Sequence, residues 1–241
     1  MGVDGLFVLF EILTVIIPII IAALWIFIFK GEKYLKICYI LIGVVAFSLA
    51  KKFETFILEI AEYCLYLKRN VLYIILEATP GIFEEVARFI SFYFVVNVIK
   101  NRDKNNSISY GIGHGGALSI IAFGYFYFLI IGGAELETDV FFLLLFWLCQ
   151  NIVFQIAISI IMLRGILKKN YLLIGSCVIL DEIFRLFFLL MEIGQIRIKD
   201  YFNFLICFGI DAVIASIAFY LYRKMAKDDS TILVENTGDE E

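Results

Sequence analysis

The chain has 241 residues, 62% of them hydrophobic, 17% aromatic and 18% charged, with a formal net charge of -4 and a mean hydropathy of +0.94. Apolar runs close to the ~20 residues that cross a bilayer recur along it, which excludes an ordinary soluble domain and indicates a polytopic membrane protein. No basic block points to nucleic acid as a partner, and much of the negative charge falls in the last stretch, KDDSTILVENTGDEE.

The N-terminal run, MGVDGLFVLFEILTV, has neither a positively charged region nor a small-residue cleavage site, so it reads as a retained helix rather than a signal peptide. Strong apolar spans are expected at about 5–29, 34–50, 82–99, 107–131, 140–163, 170–191 and 201–222. Between the second and third lies 51–80, where Lys51, Lys52, Glu54, Glu59 and Glu62 recur at helical spacing. That piece has three paths open to it: along the interface, re-entrant, or two short passes. The expected fold is therefore all-α, a bundle of about seven to eight transmembrane helices around a polar intramembrane cavity. Residues 1–226 form a single membrane domain in this reading, and 227–241 a short, acidic, disordered cytoplasmic tail.

Lys30, Lys33 and Lys36, then Lys100, Arg102 and Lys104, then Arg164, Lys168 and Lys169, then Arg223, Lys224 and Lys227 alternate with the acidic loop GGAELETDV and the mixed EIGQIRIKD. This bias puts the C-terminus in the cytoplasm and the N-terminus outside, in a multi-pass protein of the cell membrane. Lys51, Lys52, Lys68 and Arg69 run against it if their segment is external. The cysteines, Cys38, Cys64, Cys149, Cys177 and Cys207, are odd in number and show no paired spacing, so no disulfide framework is expected.

Measured along each helix from its basic end, His114 and Gln155 lie roughly 14 Å deep, Cys177 roughly 12 Å, Asp181 and Arg88 roughly 18 Å, and Glu85 and Glu84 roughly 22 to 24 Å. Four helices thus bring polar residues to one layer, where an unpaired charge costs a few kcal/mol and the side chains should face a protein-lined cavity. In GIFEEVARF, Arg88 is four residues from Glu84 and three from Glu85, so it reaches either carboxylate but cannot neutralise both. The spare carboxylate is suited to moving a proton or to binding a cation, or is simply wetted by a polar cleft beside a helix-locking ion pair. In GIGHGGALSI, glycines surround the single histidine, His114, allowing neighbouring backbone or a peptide substrate to come close.

GIFEEVARFISFY followed by YGIGHGGALSI resembles the YhfC family of intramembrane metallopeptidases, which is related to the type II CAAX prenyl endopeptidases, the PrsW proteases and the APH-1 subunit of gamma-secretase. The resemblance spans roughly 80 to 185, and the EExxR spacing is closer to YhfC than to the EExxxR of CAAX endopeptidases. Relatives carry histidines in a context like FHIGLS and four residues before an aspartate. By that resemblance Gln155 and Cys177 replace histidines here, and Asp181 is kept.

The resemblance implies peptide-bond hydrolysis inside the membrane: Glu84 acts as general base and Glu85 is paired with Arg88 or bound to metal. His114 then orients water or stabilises the oxyanion, Arg88 fixes the carboxylates, and Gln155 orients water or substrate. A zinc or other divalent ion would be held by Glu85, His114 and Cys177, with Asp181 nearby. The substrate class is a membrane protein or peptide. The alternative is a non-catalytic relative, a membrane scaffold or substrate-binding partner in the manner of APH-1. Gln150, Asn151 and Ser159 read as interhelical glue, with Asn151 near enough to line the site; Asp181 and Arg185 read as a local ion pair, and Asp211 as a buried acid suited to an ion path.

Overall fold

The computed structural model describes residues 3–28, 32–65, 79–131, 138–192 and 200–237. These form seven α-helices and, among the described residues, no strand: α1 (Val3–Ile28), α2 (Lys33–Leu65), α3 (Pro80–Asn97), α4 (Asn105–Ile131), α5 (Thr138–Leu167), α6 (Tyr171–Glu192) and α7 (Asp200–Thr237). Within α2 and α5, the stretches Lys33–Tyr63 and Phe146–Leu167 are long and apolar enough to cross a membrane.

The segment with three open paths resolves in part. Residues 51–65 are not a separate element but the continuation of the second span, making α2 a single helix of 33 residues, about 50 Å long. The charges at Lys51, Lys52 and Glu54 interrupt hydropathy, not helicity. From Gly43 the chain meets neither glycine nor proline until Pro80, and the Lys51 and Glu54 side chains pair one turn apart at 2.9 Å. Residues 66–78, 132–137 and 193–199, which take in most of the acidic and mixed loops, and the Arg185 side chain lie outside the described residues.

A second difference is at the C-terminus. α7 continues to Thr237, so the stretch after 226 that was expected to be a disordered tail is helical as far as that residue. The sequence offers no stop there, since the first glycine after Gly209 is Gly238 and no proline intervenes.

Helix ends follow local chemistry. Pro80 opens α3 with its φ already helical, and the Ile82 N–H donates to Glu182 Oε1 of α6 at 2.8 Å. Asp103 Oδ1 accepts the Asn105 N–H at 2.9 Å where α4 begins, and Asn170 Oδ1 accepts the Leu172 N–H at 3.1 Å where α6 begins. Lys100 and Lys169, after α3 and α5, take left-handed φ of 60° and 53°, the conformation that closes a helix C-terminus.

At the centre, α4 is held between α2 and α5 by backbone approach. A side chain at Gly113 would run into the Ile40 carbonyl oxygen of α2, and one at Gly111 would come within 2.9 Å of the Gln155 carbonyl oxygen of α5. The glycines around His114 therefore admit neighbouring helices, which fixes the histidine's height and rotation. Phe92, Tyr110, Phe154, Ile158, Met162 and Leu163 fill the core, while Ile19, Phe27, Leu41, Leu49, Ile90 and Phe94 face outward. An apolar exterior over a core that holds charged side chains is the arrangement a lipid surrounding requires.

Gly113→Ala should lower the thermal unfolding midpoint in detergent, by an overpacking cost of about 1–3 kcal/mol. Gly175, whose added methyl would meet nothing within 4 Å, is the control: Gly175→Ala should be neutral or stabilising by up to about 1 kcal/mol.

Candidate active site

Glu84, Glu85 and Arg88 lie in the first turns of α3, whose start is pinned to α6 through Glu182. α4 contributes His114, α2 Lys51, α5 Gln155 and α6 Asp181. Glu84, Glu85, Arg88, His114, Gln155 and Asp181 are each at most 1% exposed. Burial this complete demands that charges be met by charges or hydrogen bonds.

The structure sorts the carboxylate pair. Arg88 Nη1 lies 3.1 Å from Glu85 Oε1, and its other amino group, Nη2, donates to Gln155 Oε1. Gln155 thus holds the arginine, where the sequence suggested that it orients water or substrate; its carbonyl is the neutral acceptor that lets Arg88 face α5 without a second anion. With Arg88 engaged there, Glu84 turns to other partners. Its Oε2 is 3.3 Å from His114 Nε2, and its Oε1 is 3.4 Å from Lys51 Nζ.

The His114 ring is fixed in turn by an edge-on contact with Phe47 of α2, centroids 5.0 Å apart, and by stacking on Tyr110 one turn below at 5.7 Å. Asp181 stands at the N-terminus of α3, where a methyl on Gly81 would be 2.7 Å from its Oδ2; a carboxylate there also suits the helix dipole. Asn151, one turn before Gln155 on α5, is buried, and its Nδ2 has no hydrogen-bond partner among the described residues.

Lys51 is the residue that sequence reasoning missed. It bridges Glu84 and Glu54, at 3.4 and 2.9 Å, and its side chain is 26% exposed where that of Glu84 is fully buried. The available signal was its violation of the charge bias: a lysine that no topology places comfortably is a lysine with a buried partner.

The expected metal set does not assemble. Glu85 faces Arg88, His114 faces Glu84, and the Cys177 thiol donates to the Leu173 and Ile158 carbonyls at 3.3 and 3.7 Å within the apolar core. Among the described residues, no three His, Cys, Asp or Glu side chains are grouped as metal ligands. As arranged, these donors do not fit a three-ligand zinc site.

Residues 13–130 match the family model of the YhfC intramembrane metalloproteases. The matched stretch takes in most of α1 and all of α2, so Lys51 falls inside it with Glu84, Glu85, Arg88 and His114, and it ends before Gln155, Cys177 and Asp181. The family name carries an integral membrane location, a bilayer setting and, in a metalloprotease, a divalent metal. No curated protein and no solved structure matches the chain.

Removing Arg88 leaves Glu85 buried without its counter-charge, which costs about 3–5 kcal/mol. Arg88→Ala should therefore lower the thermal midpoint in detergent far more than Glu84→Gln, which keeps an acceptor toward Lys51 and His114; equal losses would show that the two carboxylates are equivalent structural charges. For the thiol, Cys177→Ser should leave the metal content of the purified protein unchanged by elemental mass spectrometry. A loss of metal in that variant would restore Cys177 as a ligand.

Proposed function

We propose that this chain is an intramembrane peptidase in which Glu84 is the general base. The observation that carries the reading is the division of labour within the Glu pair: Glu85 is tied up by Arg88, while Glu84 faces His114 and Lys51. Glu84 takes a proton from water as its oxygen bonds to the scissile carbonyl carbon. The same proton then passes to the leaving amide nitrogen as the C–N bond breaks, so the carboxylate ends the cycle unchanged.

His114 Nε2, on one carboxylate oxygen, orients the base; the Lys51 ammonium, on the other, supplies positive charge where the tetrahedral oxyanion develops. Substrate approaches from the Lys51 side, because Lys51 is the partly exposed member of the trio. The family name implies a divalent metal, but the donors do not fit one, so no step is routed through it. The multi-pass setting in the cell membrane, the cytoplasmic C-terminus and the single domain of residues 1–226 belong to the same proposal.

The non-catalytic alternative, a scaffold or substrate-binding relative, is favoured by the full burial of both Glu84 and His114. Detergent-purified protein incubated with a panel of membrane-spanning peptides, with new termini read by mass spectrometry, separates the two. Wild type should cleave, Glu84→Gln should lose about a hundredfold or more in rate while keeping its thermal midpoint, and Lys51→Met should be slowed but active. Binding of peptides without cleavage by the wild type would instead establish the scaffold.

A further inference from the structure

Away from Glu84, a groove of about 610 Å³ runs between α1, α4, α5 and α7. Its floor is apolar, and the small side chains of Ala157, Ala215 and Ala218 leave room there between α5 and α7. Val153, on its wall, is 48% exposed. From Tyr222 to Ala215 the groove follows α7 inward for two turns, roughly 10 Å.

The other end is a rim of three aromatic rings, Trp25, Tyr222 and Phe219, and each carries a cation. Lys36 Nζ lies 5.0 Å from the Trp25 ring, Lys104 Nζ 5.6 Å from Tyr222, and the Arg223 guanidinium 4.7 Å from Phe219. Two of the rings are locked: Trp25 Nε1 donates to Ser109 Oγ and the Tyr222 hydroxyl to Asn105 Oδ1, both at 2.8 Å. Lys36 is buried and donates to the Trp25 carbonyl at 3.1 Å, so it acts as a fixed charge behind the ring. Lys104 is half-buried and Arg223 exposed. Asp103, next to Lys104, accepts the Asn105 N–H at 2.9 Å and lies close enough for its charge to be felt at Tyr222, so the rim sets three cations against one carboxylate.

In a bilayer the apolar part of such a groove gives no preference of its own, since an acyl chain is as well solvated by other chains as by alanine and valine. Selection falls to the rim, where three cations, on α2, on α7 and in the turn before α4, attract a phosphate and aromatic rings sit at headgroup level. We propose that the groove binds one anionic phospholipid, with an acyl chain along α5 and α7 and the phosphate on Lys104 and Arg223 in the field of Lys36. This site is independent of the chemistry assigned to Glu84.

The test uses the full-length protein in detergent mixed with equal amounts of phosphatidylglycerol and phosphatidylcholine of matched chains, with retained lipid counted by native mass spectrometry. The wild type should keep one phosphatidylglycerol in preference to phosphatidylcholine. Lys104→Gln with Arg223→Gln should weaken that preference by about fivefold for each cation removed, and Ala215→Phe, which fills the groove, should abolish retention. Val153→Phe serves the same purpose if the Ala215 variant does not fold. Equal retention of the two lipids, or a preference unchanged by the double variant, overturns the proposal. Retention that survives groove filling, or that excess glycerol phosphate displaces, reduces the site to surface charge and overturns it equally.

Discussion

Arg88 sits between Glu85 on its own helix and Gln155 on α5, with no exposed surface. A guanidinium in that position is costly to leave without a counter-charge, and its two engagements lock α3 against α5. Everything else at the site follows from how that arginine is spent. Once it takes Glu85, the rotation of α3 carries Glu84 toward α4 and α2, where His114 and Lys51 meet it. The same three side chains thus act as helix glue and as the means by which one carboxylate of a pair is made different from the other.

The helices can deliver those groups only because their backbones come close. Gly111 and Gly113 bring α4 against α5 and α2, and at neither position is there room for a methyl group. In lipid, where no hydrophobic effect drives helices together, close packing and polar contacts have to do it. Here the two coincide along α4: glycines above and below His114 close the packing, and His114 itself makes the polar contact. The length of α2 matters for the same reason, since a helix ending at Ala50 would leave Lys51 off the element that faces Glu84.

Chemically, the carboxylates meet protein cations, Arg88 at Glu85 and Lys51 at Glu84. This contrasts with the metal that the family name implies, and the contrast is local: it concerns which oxygen faces which donor. Cys177 illustrates it. At the right depth to be a ligand, its thiol is turned to the Leu173 and Ile158 carbonyls instead. The basic rim at the groove of α7 shows the opposite disposition, with cations on ring faces at the edge of the bundle, where headgroups rather than carboxylates are the natural partners.

Much of this was legible in the residues. Apolar periodicity set both ends of five helices to within a few positions, because a helix in lipid is bounded by the charges and caps next to it in sequence. The convergence of Glu84, Glu85, Arg88 and His114 was legible too, because burying charge is costly enough that buried polar groups at one depth must find one another. Other features were not. Lys51 fell in a stretch where hydropathy and helicity part company, so a window that measures the first misses the second. The choice of Glu85 over Glu84 by Arg88, the use of Gln155 as its acceptor, and the inward turn of Cys177 away from any metal set depend on how each helix is rotated and which neighbour it touches. By itself the sequence determined which groups must be paired and at what depth; only the tertiary structure decided with whom, because spacing along one helix fixes distances within it and leaves its rotation to packing against the others.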